Sequence, residues 1–363
     1  MSDKASLHDM VGEMIMTGFH GNGIGANEPE FRAIESQIHD HKIGGVILFD
    51  IDVAGLRARG TAPDVMRTQT FSSNIQNLDQ VTQMTERLQR AANGGLFIAV
   101  DQEGGTVARL KPEHGFAPTP AACELSHNIT ETYNAGLRMG MRLRTLGINV
   151  NFAPVLDVNI NPNCPIIGAR GRAFSSDAER VTQYAGAFGR GMSDAGIAYA
   201  FKHFPGHGSA TTDSHRGVTD ITATWRDAEL TPYRKILPEN PHGAMVMVGH
   251  LVNRNIDTAP SSLSAKTINM ARQMGFDGVI VSDDLNMGAL ANEYSTNEII
   301  FRAISAGNDI LIFGNNLKYD ANMGADVHTA IMKMVESGRI PSSRIYESYV
   351  RIMKLKKQIG LER

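Results

Sequence analysis

The chain has 363 residues, 42 % of them hydrophobic and 20 % charged, with a formal net charge of −3. That balance suits a well-cored globular protein and excludes the strongly basic surface on which a nucleic-acid partner depends. No apolar run approaches the ~20 residues that cross a bilayer, and the two cysteines, Cys123 and Cys164, stand far apart without C-x-x-C spacing, so neither a disulfide framework nor a cysteine zinc site is implied.

The opening segment, MSDKASLHDMVGEMIMTGFHG, carries early acids and no apolar core followed by a small-residue cleavage site. It does not read as a secretory signal, and the expectation is a cytoplasmic protein. The first β-rich run is MIMTGF (14–19), followed by GNGIGA (21–26), which matches the G-x-G-x-x-A outline of a dinucleotide-binding turn with Asp50 further on. Two features argue against a nucleotide there. NEPE separates the last small residue from the helix, and Asp50 lies beyond the ~20 residues expected of the ribose-binding acid. A glycine-rich connection is the simpler reading.

GVILF (45–49) supplies a second strand, and the polar stretch 51–80 reads as a long excursion too irregular for core, flanking a pocket. Further strands follow at LFIAV (96–100), INVNFAPV (148–155), IAYAF (197–201), AMVMV (244–248), GVIVS (278–282) and DILIF (309–313). Helical patterns such as NLDQVTQMTERLQRAA, ITETYNAGLRMGMRLRTLG and DAERVTQYAGAFGRGMSDAG lie between them. The tail predicts two helices broken at SGRIPSS, with Ser342 or Ser343 as N-cap. The strands are continuously apolar rather than alternating, the mark of a parallel sheet buried on both faces. Eight strand–helix units predict an α/β fold, a (β/α)8 TIM-type barrel with irregular first strands. We expect residues 1–363 to form one catalytic domain, with helices in 325–363 packed on the barrel.

Polar groups cluster where the strands end: Asp101, Asp157, Lys202 with His203, His250 and Asp283. In such a barrel these ends share one face, where active sites are built. The densest group is KHFPGHGSATTDSHRG (202–217). A metal site from His203, His207 and His215 with Asp213 is one reading, making the protein a metal-dependent barrel hydrolase. Against it, Pro205 and Gly206 forbid the helix from which a His-x3-His pair best grips one ion. An acid/base reading fits better. Asp213 and His215, two apart, emerge on one face of an extended segment, and a carboxylate beside an imidazole fixes its tautomer and raises its basicity. In GVIVSDDLNMGAL, Asp283 and Asp284 end an apolar strand, where a carboxylate is costly unless a partner or function holds it. Asp284 can cap the next helix. A carboxylate nucleophile opposite a proton donor is the equipment of a retaining glycosidase.

VDQEGGTVARL, GRAFSSD, KHFPGHGSATTDSH and VSDDLNM, in this order, resemble the bacterial β-N-acetylhexosaminidases of glycoside hydrolase family 3 in their single-domain form. The resemblance spans roughly residues 12–314. It implies a retaining exo-β-N-acetylglucosaminidase acting on cell-wall muropeptides or chitin-derived oligosaccharides, with a small carbohydrate as its only partner class and no metal or organic cofactor. It implies Asp283 as nucleophile, His215 as general acid/base tuned by Asp213, and Asp101, Arg109, Arg172, Lys202 and His203 as sugar-binding positions; in IGARGRAF, Arg170 is also available. His207 becomes a structural residue of its loop. A phosphorylase or β-glucosidase on the same scaffold remains the alternative.

Overall fold

The computed structural model describes residues 5–25, 28–58, 73–214 and 217–361. Ten strands are β1 (Ile15–Gly18), β2 (Gly45–Ile47), β3 (Phe97–Val100), β4 (Val150–Asn151), β5 (Ala198–Phe204), β6 (Thr219–Asp220), β7 (Ala244–Val248), β8 (Leu251–Val252), β9 (Val279–Ser282) and β10 (Leu311–Phe313) among the described residues. Eight of them pair in parallel in the order β10-β1-β2-β3-β4-β5-β7-β9. A parallel bridge between Val281 and Ile310 brings the two edges together, with the Ser282 amide donating to the Ile310 carbonyl at 3.0 Å. The result is a (β/α)8 barrel, and each of the eight apolar runs read from the sequence supplies one strand.

The helices are α1 (Leu7–Glu13), α2 (Pro29–Asp40), α3 (Val53–Ala58), α4 (Leu78–Ala91), α5 (Ala122–Leu125), α6 (Ile129–Thr145) and α7 (Ala178–Asp194). After them come α8 (Thr231–Ile236), α9 (Ala265–Gln273), α10 (Gly288–Ala291), α11 (Thr296–Ala306), α12 (Met323–Glu336) and α13 (Ser342–Gln358). Their apolar spacing is what glues them to the sheet. In α4, Val81, Met84 and Leu88 are buried on one stripe while the opposite face is charged. Asn77, Asn128, Asp177, Ser264 and Ser295 cap their helices by accepting a backbone N–H of the first turn. Ser342 and Ser343 do not cap α13. Pro341 is its N-cap, extended at φ −64°, ψ 136°, and makes no side-chain bond.

Two further expectations change. The excursion 51–80 is not all outside the core: α3 lies in it, Ile75 is fully buried, and the Asn74 amide donates to the carbonyls of Phe19 (3.0 Å) and Gly21 (2.9 Å). Residues 59–72 of it lie outside the described part. Lys202 and His203 do not follow the fifth strand but belong to it. The pairing of β5 with β7 shifts register between Phe201 and Phe204, and such an irregularity turns neighbouring side chains toward the same side. The two-residue strands β6 and β8, too short for any periodic signal, pair beside the barrel and close over a small apolar cluster of Val155, Ile166, Ile167, Ile221 and Leu251. This cluster fixes the loops above the strand ends.

The dinucleotide-like turn is closed from within. Amides of Asn22 and Gly23 donate to the Glu28 carboxylate at 2.8 and 2.9 Å, filling the place a phosphate would take. Asp50, the would-be ribose acid, is buried against Lys111 at 2.5 Å.

At the tail, α12 packs on β1 and α13 on α1 and β9. Lys356 of α13 is buried and ion-paired with Glu13 of α1, itself 5 % exposed. Removing one partner of such a pair strands a buried charge. Lys356→Met should therefore cost ~3–5 kcal/mol in urea denaturation, and adding Glu13→Leu should recover much of it. A loss below about 1 kcal/mol for the single variant would mean that the pair does not hold the tail.

Candidate functional site

β3 delivers Asp101 to the mouth of the barrel, and the chain then doubles back through a Gly104–Val107 bridge. Gln102, buried beneath this turn, holds both sides: it takes the Asn151 side-chain oxygen on its amide (3.0 Å) and accepts the amides of Arg109 (2.8 Å) and Leu110 (2.9 Å) on Oε1. Gly104, at φ +102°, supplies a backbone turn that a side chain would obstruct. The turn drives Glu103 inward, where it is 7 % exposed.

Glu103 is the centre of a buried ionic web. Arg172 clasps it through Nε and Nη2, both at 2.7 Å, and Lys202 approaches at 2.6 Å. Lys202 also donates to Asp101 at 2.8 Å, while Arg109 stands 3.5 Å from the other Asp101 oxygen. Burial works to raise the Glu103 pKa, but the charges of Arg172 and Lys202 outweigh it and hold the carboxyl far below the usual range. Burial likewise opposes charge on Lys202, yet Asp101 and Glu103 raise its pKa. Glu103, Arg172 and Lys202 therefore stay ionised across the physiological range.

A second web lies one strand along. The Asp157 carboxylate accepts the His203 amide (3.1 Å), the His207 amide (2.8 Å) and Nδ1–H of His203 (2.7 Å). Burial pushes the Asp157 pKa up, and the electrostatics and hydrogen bonding of the His203 side more than reverse this. With Nδ1 donating, Nε2 of His203 is an acceptor, and Arg172 Nη2 faces it at 3.3 Å. Both ring nitrogens are thus engaged, one against a cation, which disfavours the metal reading of this loop. His207 is 1 % exposed, its Nε2 lies 3.1 Å from Ser214 Oγ, and burial lowers its pKa to about 4.

β9 delivers the two acids. The Asp284 carboxylate accepts the amides of Asn286 (2.9 Å) and Gly314 (2.7 Å) and acts as a tie between strand ends. Asp283 instead lines a cavity of about 480 Å³ with Asp101, Arg109, Arg172, Lys202 and His203. A second recess of about 250 Å³ shares Asp101, Arg109 and Asp283 with the first but is walled by Phe49, Met247, Met287 and Leu317. Asp283 stands where a polar chamber meets an apolar one. Cations and carboxylates with fixed geometry suit a polyhydroxyl ligand held by charge-assisted hydrogen bonds.

Of the residues named from sequence, Asp101, Arg109, Arg172, Lys202, His203 and Asp283 come together here. Asp213 lies in a neighbouring recess with Pro165, Arg170, Thr211 and Thr212, and His215 lies outside the described residues. Arg172 is the inner arginine; Arg170 sits further out, with Nε donating to the Pro165 carbonyl at 3.1 Å. His250 is structural, bonded to Ser262 Oγ (2.7 Å) and the Asp284 carbonyl (2.8 Å). Sequence reasoning missed Glu103, Lys111 and the paired role of Asp50. The signal for Glu103 was available: an acid two residues past a strand-end acid, followed by two glycines, sits in a forced turn.

The loop after β5 rests on Glu229. Its Oε2 accepts the Gly208 amide at 2.8 Å, and Gly206 (φ +117°) passes so close that a Cβ would lie 2.6 Å from the Glu229 Cβ. Burial raises the Glu229 pKa to about 7. A raised folded-state value means stability present below the unfolded pKa and lost as pH rises through about 7. Wild type should lose on the order of 3 kcal/mol from this group between pH 4.5 and 8. Glu229→Gln should remove that slope in denaturation series at stepped pH. An unchanged slope would place the titration elsewhere.

The family described as "Glycosyl hydrolase family 3 N terminal domain" matches residues 6–355. The chain is 36 % identical over 280 residues to "Beta-hexosaminidase LpqI" of Mycobacterium tuberculosis, covering 73 % of this chain and 70 % of that protein. It is 34 % identical over 284 residues to "Beta-hexosaminidase" of Tolumonas auensis, covering 73 % and 82 %. Among solved structures, a glycoside hydrolase family 3 beta-N-acetylglucosaminidase from Paenibacillus sp. superposes with a TM-score of 0.83 at 30 % identity. That match covers 99 % of this chain and 64 % of the other.

Proposed function

The chain belongs to glycosyl hydrolase family 3, and from that premise we propose that it is a retaining exo-β-N-acetylglucosaminidase. The observation that carries the reading is the place of Asp283: the C-terminal end of β9, at the junction of the polar chamber and the apolar recess. The names of the hexosaminidase relatives support the amino sugar as the unit removed.

In this reading Asp283 attacks the anomeric carbon and the bond to the leaving oxygen breaks, giving a glycosyl-enzyme ester. His215 gives its proton to that oxygen, then takes one from water as the water cleaves the ester. Asp213 sets the basicity of His215. We assign the role to Asp283 rather than Asp284, whose Oδ1 accepts the amides of both Asn286 and Gly314. Lys202, Asp101 and Arg109 hold sugar hydroxyls. Four of the five N–H bonds of Arg172 go to Glu103, Ile166 and His203, so its main work is to position Glu103 and His203, with one hydrogen left for substrate. The substrates we infer are cell-wall muropeptides or chitin-derived oligosaccharides ending in N-acetylglucosamine. Cytoplasmic turnover of cell-wall fragments is the proposed setting, and the motif resemblance is its support.

Asp283→Asn keeps the side-chain shape but removes the attacking oxyanion, so turnover of an aryl N-acetyl-β-glucosaminide should fall on the order of 10³-fold or more with an unchanged melting curve. Wild type should release the β-anomer first by proton NMR, and a 5-fluoro glycoside should label Asp283. First-formed α-product, or label on Asp284, overturns the assignment. Adding phosphate should leave the rate and product unchanged; sugar phosphate as the main product would make the enzyme a phosphorylase.

A second experiment separates two histidines of one loop. Plotting log rate against leaving-group pKa should give a steeper slope for His215→Ala than for wild type, because poor leaving groups need its proton. His207→Ala should depress all substrates by a similar factor, since its ring packs on His203 and lies 3.1 Å from Ser214 Oγ. The reverse pattern would exchange the two roles.

A further inference from the structure

Away from the cavity, three imidazoles meet. His8 lies on α1, His41 is the C-cap of α2, and His328 lies on α12. One ring nitrogen from each lies within 4.8 Å of the other two, the only group of three or more His, Cys, Asp or Glu so arranged among the described residues. Ring centroids are 4.4 Å apart for His8 and His328, 5.1 Å for His41 and His328, and 6.2 Å for His8 and His41. His41 sits just ahead of β2, at the N-terminal face of the barrel, whereas Asp283 stands at the C-terminal face.

The protonation pattern is that of ligands. His328 is 3 % exposed, and its Nε2 lies 3.0 Å from the His8 carbonyl. A carbonyl only accepts, so Nε2 carries the hydrogen and the lone pair is on Nδ1. Metal-binding histidines characteristically give their second N–H to a carbonyl or carboxylate, which fixes tautomer and orientation. The Asp9 carboxylate stands 3.6 Å from Nδ1 of His8 and can hold that ring in the same way, leaving Nε2 for a metal. Nδ1 of His41 is buried and has no hydrogen-bond partner.

We propose that His8, His41 and His328 form a site for a divalent late first-row transition metal, zinc foremost, that pins α1 to α2 and α12. Three imidazoles favour zinc, copper or nickel over magnesium or calcium, which take oxygen ligands. Tetrahedral zinc with bonds of ~2.0–2.1 Å sets its ligand nitrogens roughly 3.3 Å apart, so the rings close by rotation of half-buried side chains. Water takes the fourth position, since His8 is 40 % exposed at its side chain. The bound ion would cross-link positions more than three hundred residues apart and stabilise the folded chain by mass action.

The test uses the full chain without a polyhistidine tag, freed of metal by chelator and titrated calorimetrically with Zn²⁺. One equivalent should bind. At about a hundredfold excess over Kd the melting temperature should rise by about 3–5 °C, and Mg²⁺ should do neither. His41→Gln and the half-exposed His8→Gln should each weaken zinc binding at least tenfold without changing the aryl-glycosidase rate of the metal-free protein. His215→Ala should bind zinc as wild type does, which separates this site from the histidines of the catalytic loop. Failure of Zn²⁺ to bind at micromolar concentration overturns the proposal, as does binding lost in His215→Ala but kept in both His8→Gln and His41→Gln.

Discussion

Glu103 is a carboxylate taken out of water, and the site is organised around keeping it charged. Desolvating one ion is expensive, and the cost is offset only by partners held at hydrogen-bonding distance with nothing left unsatisfied. Arg172 and Lys202 meet that requirement from different segments: Lys202 from β5, Arg172 from the connection between β4 and α7. Lys202 in turn holds Asp101 at the end of β3. Three neighbouring parts of the barrel are thereby locked at their C-terminal ends, and the groups facing the cavity are rigid before any ligand arrives. Preorganisation of this kind is what an electrostatic active site needs.

The second web, around Asp157, extends the lock to the loop that follows β5. His203 joins the two, giving its Nδ1–H to Asp157 while Nε2 faces Arg172. Asp157 also takes the His207 amide, and Gly208 comes so close to the Val158 carbonyl that a Cβ would lie 1.7 Å from it. The first part of the loop, through Ser209, is therefore buried and tightly held. Thr211 and Thr212 are exposed, Asp213 is half-exposed, and Ser214 is buried again.

In the proposed function the two chambers divide the work of recognition. The polar one is walled by groups whose charges are already compensated by one another, so a sugar exchanges water for fixed donors and acceptors without leaving an ion unpaired. The apolar one, with Phe49, Met247 and Met287, takes surface that a purely polar site would reject. Asp283 at their junction faces both, and Asp284 beside it is spent on holding β9 to β10 through Gly314. Two adjacent acids thus meet different backbone surroundings.

Much of this was legible in the chain. Eight apolar runs at helical separations specify a parallel barrel, because strands buried on both faces have no polar side to alternate. Strand ends then mark the working face, so Asp101, Lys202, His203 and Asp283 could be named before any geometry was known. What the sequence could not show was pairing over distance. Nothing local ties Glu103 to Arg172, sixty-nine positions on, or brings His8 and His41 to His328. Nor does local pattern reveal that Glu28 fills the glycine turn, or that strands of two residues anchor the rim. Periodicity reports which face of an element is buried; which charge meets which is decided only when the barrel closes and each ion must find a partner or stay in water.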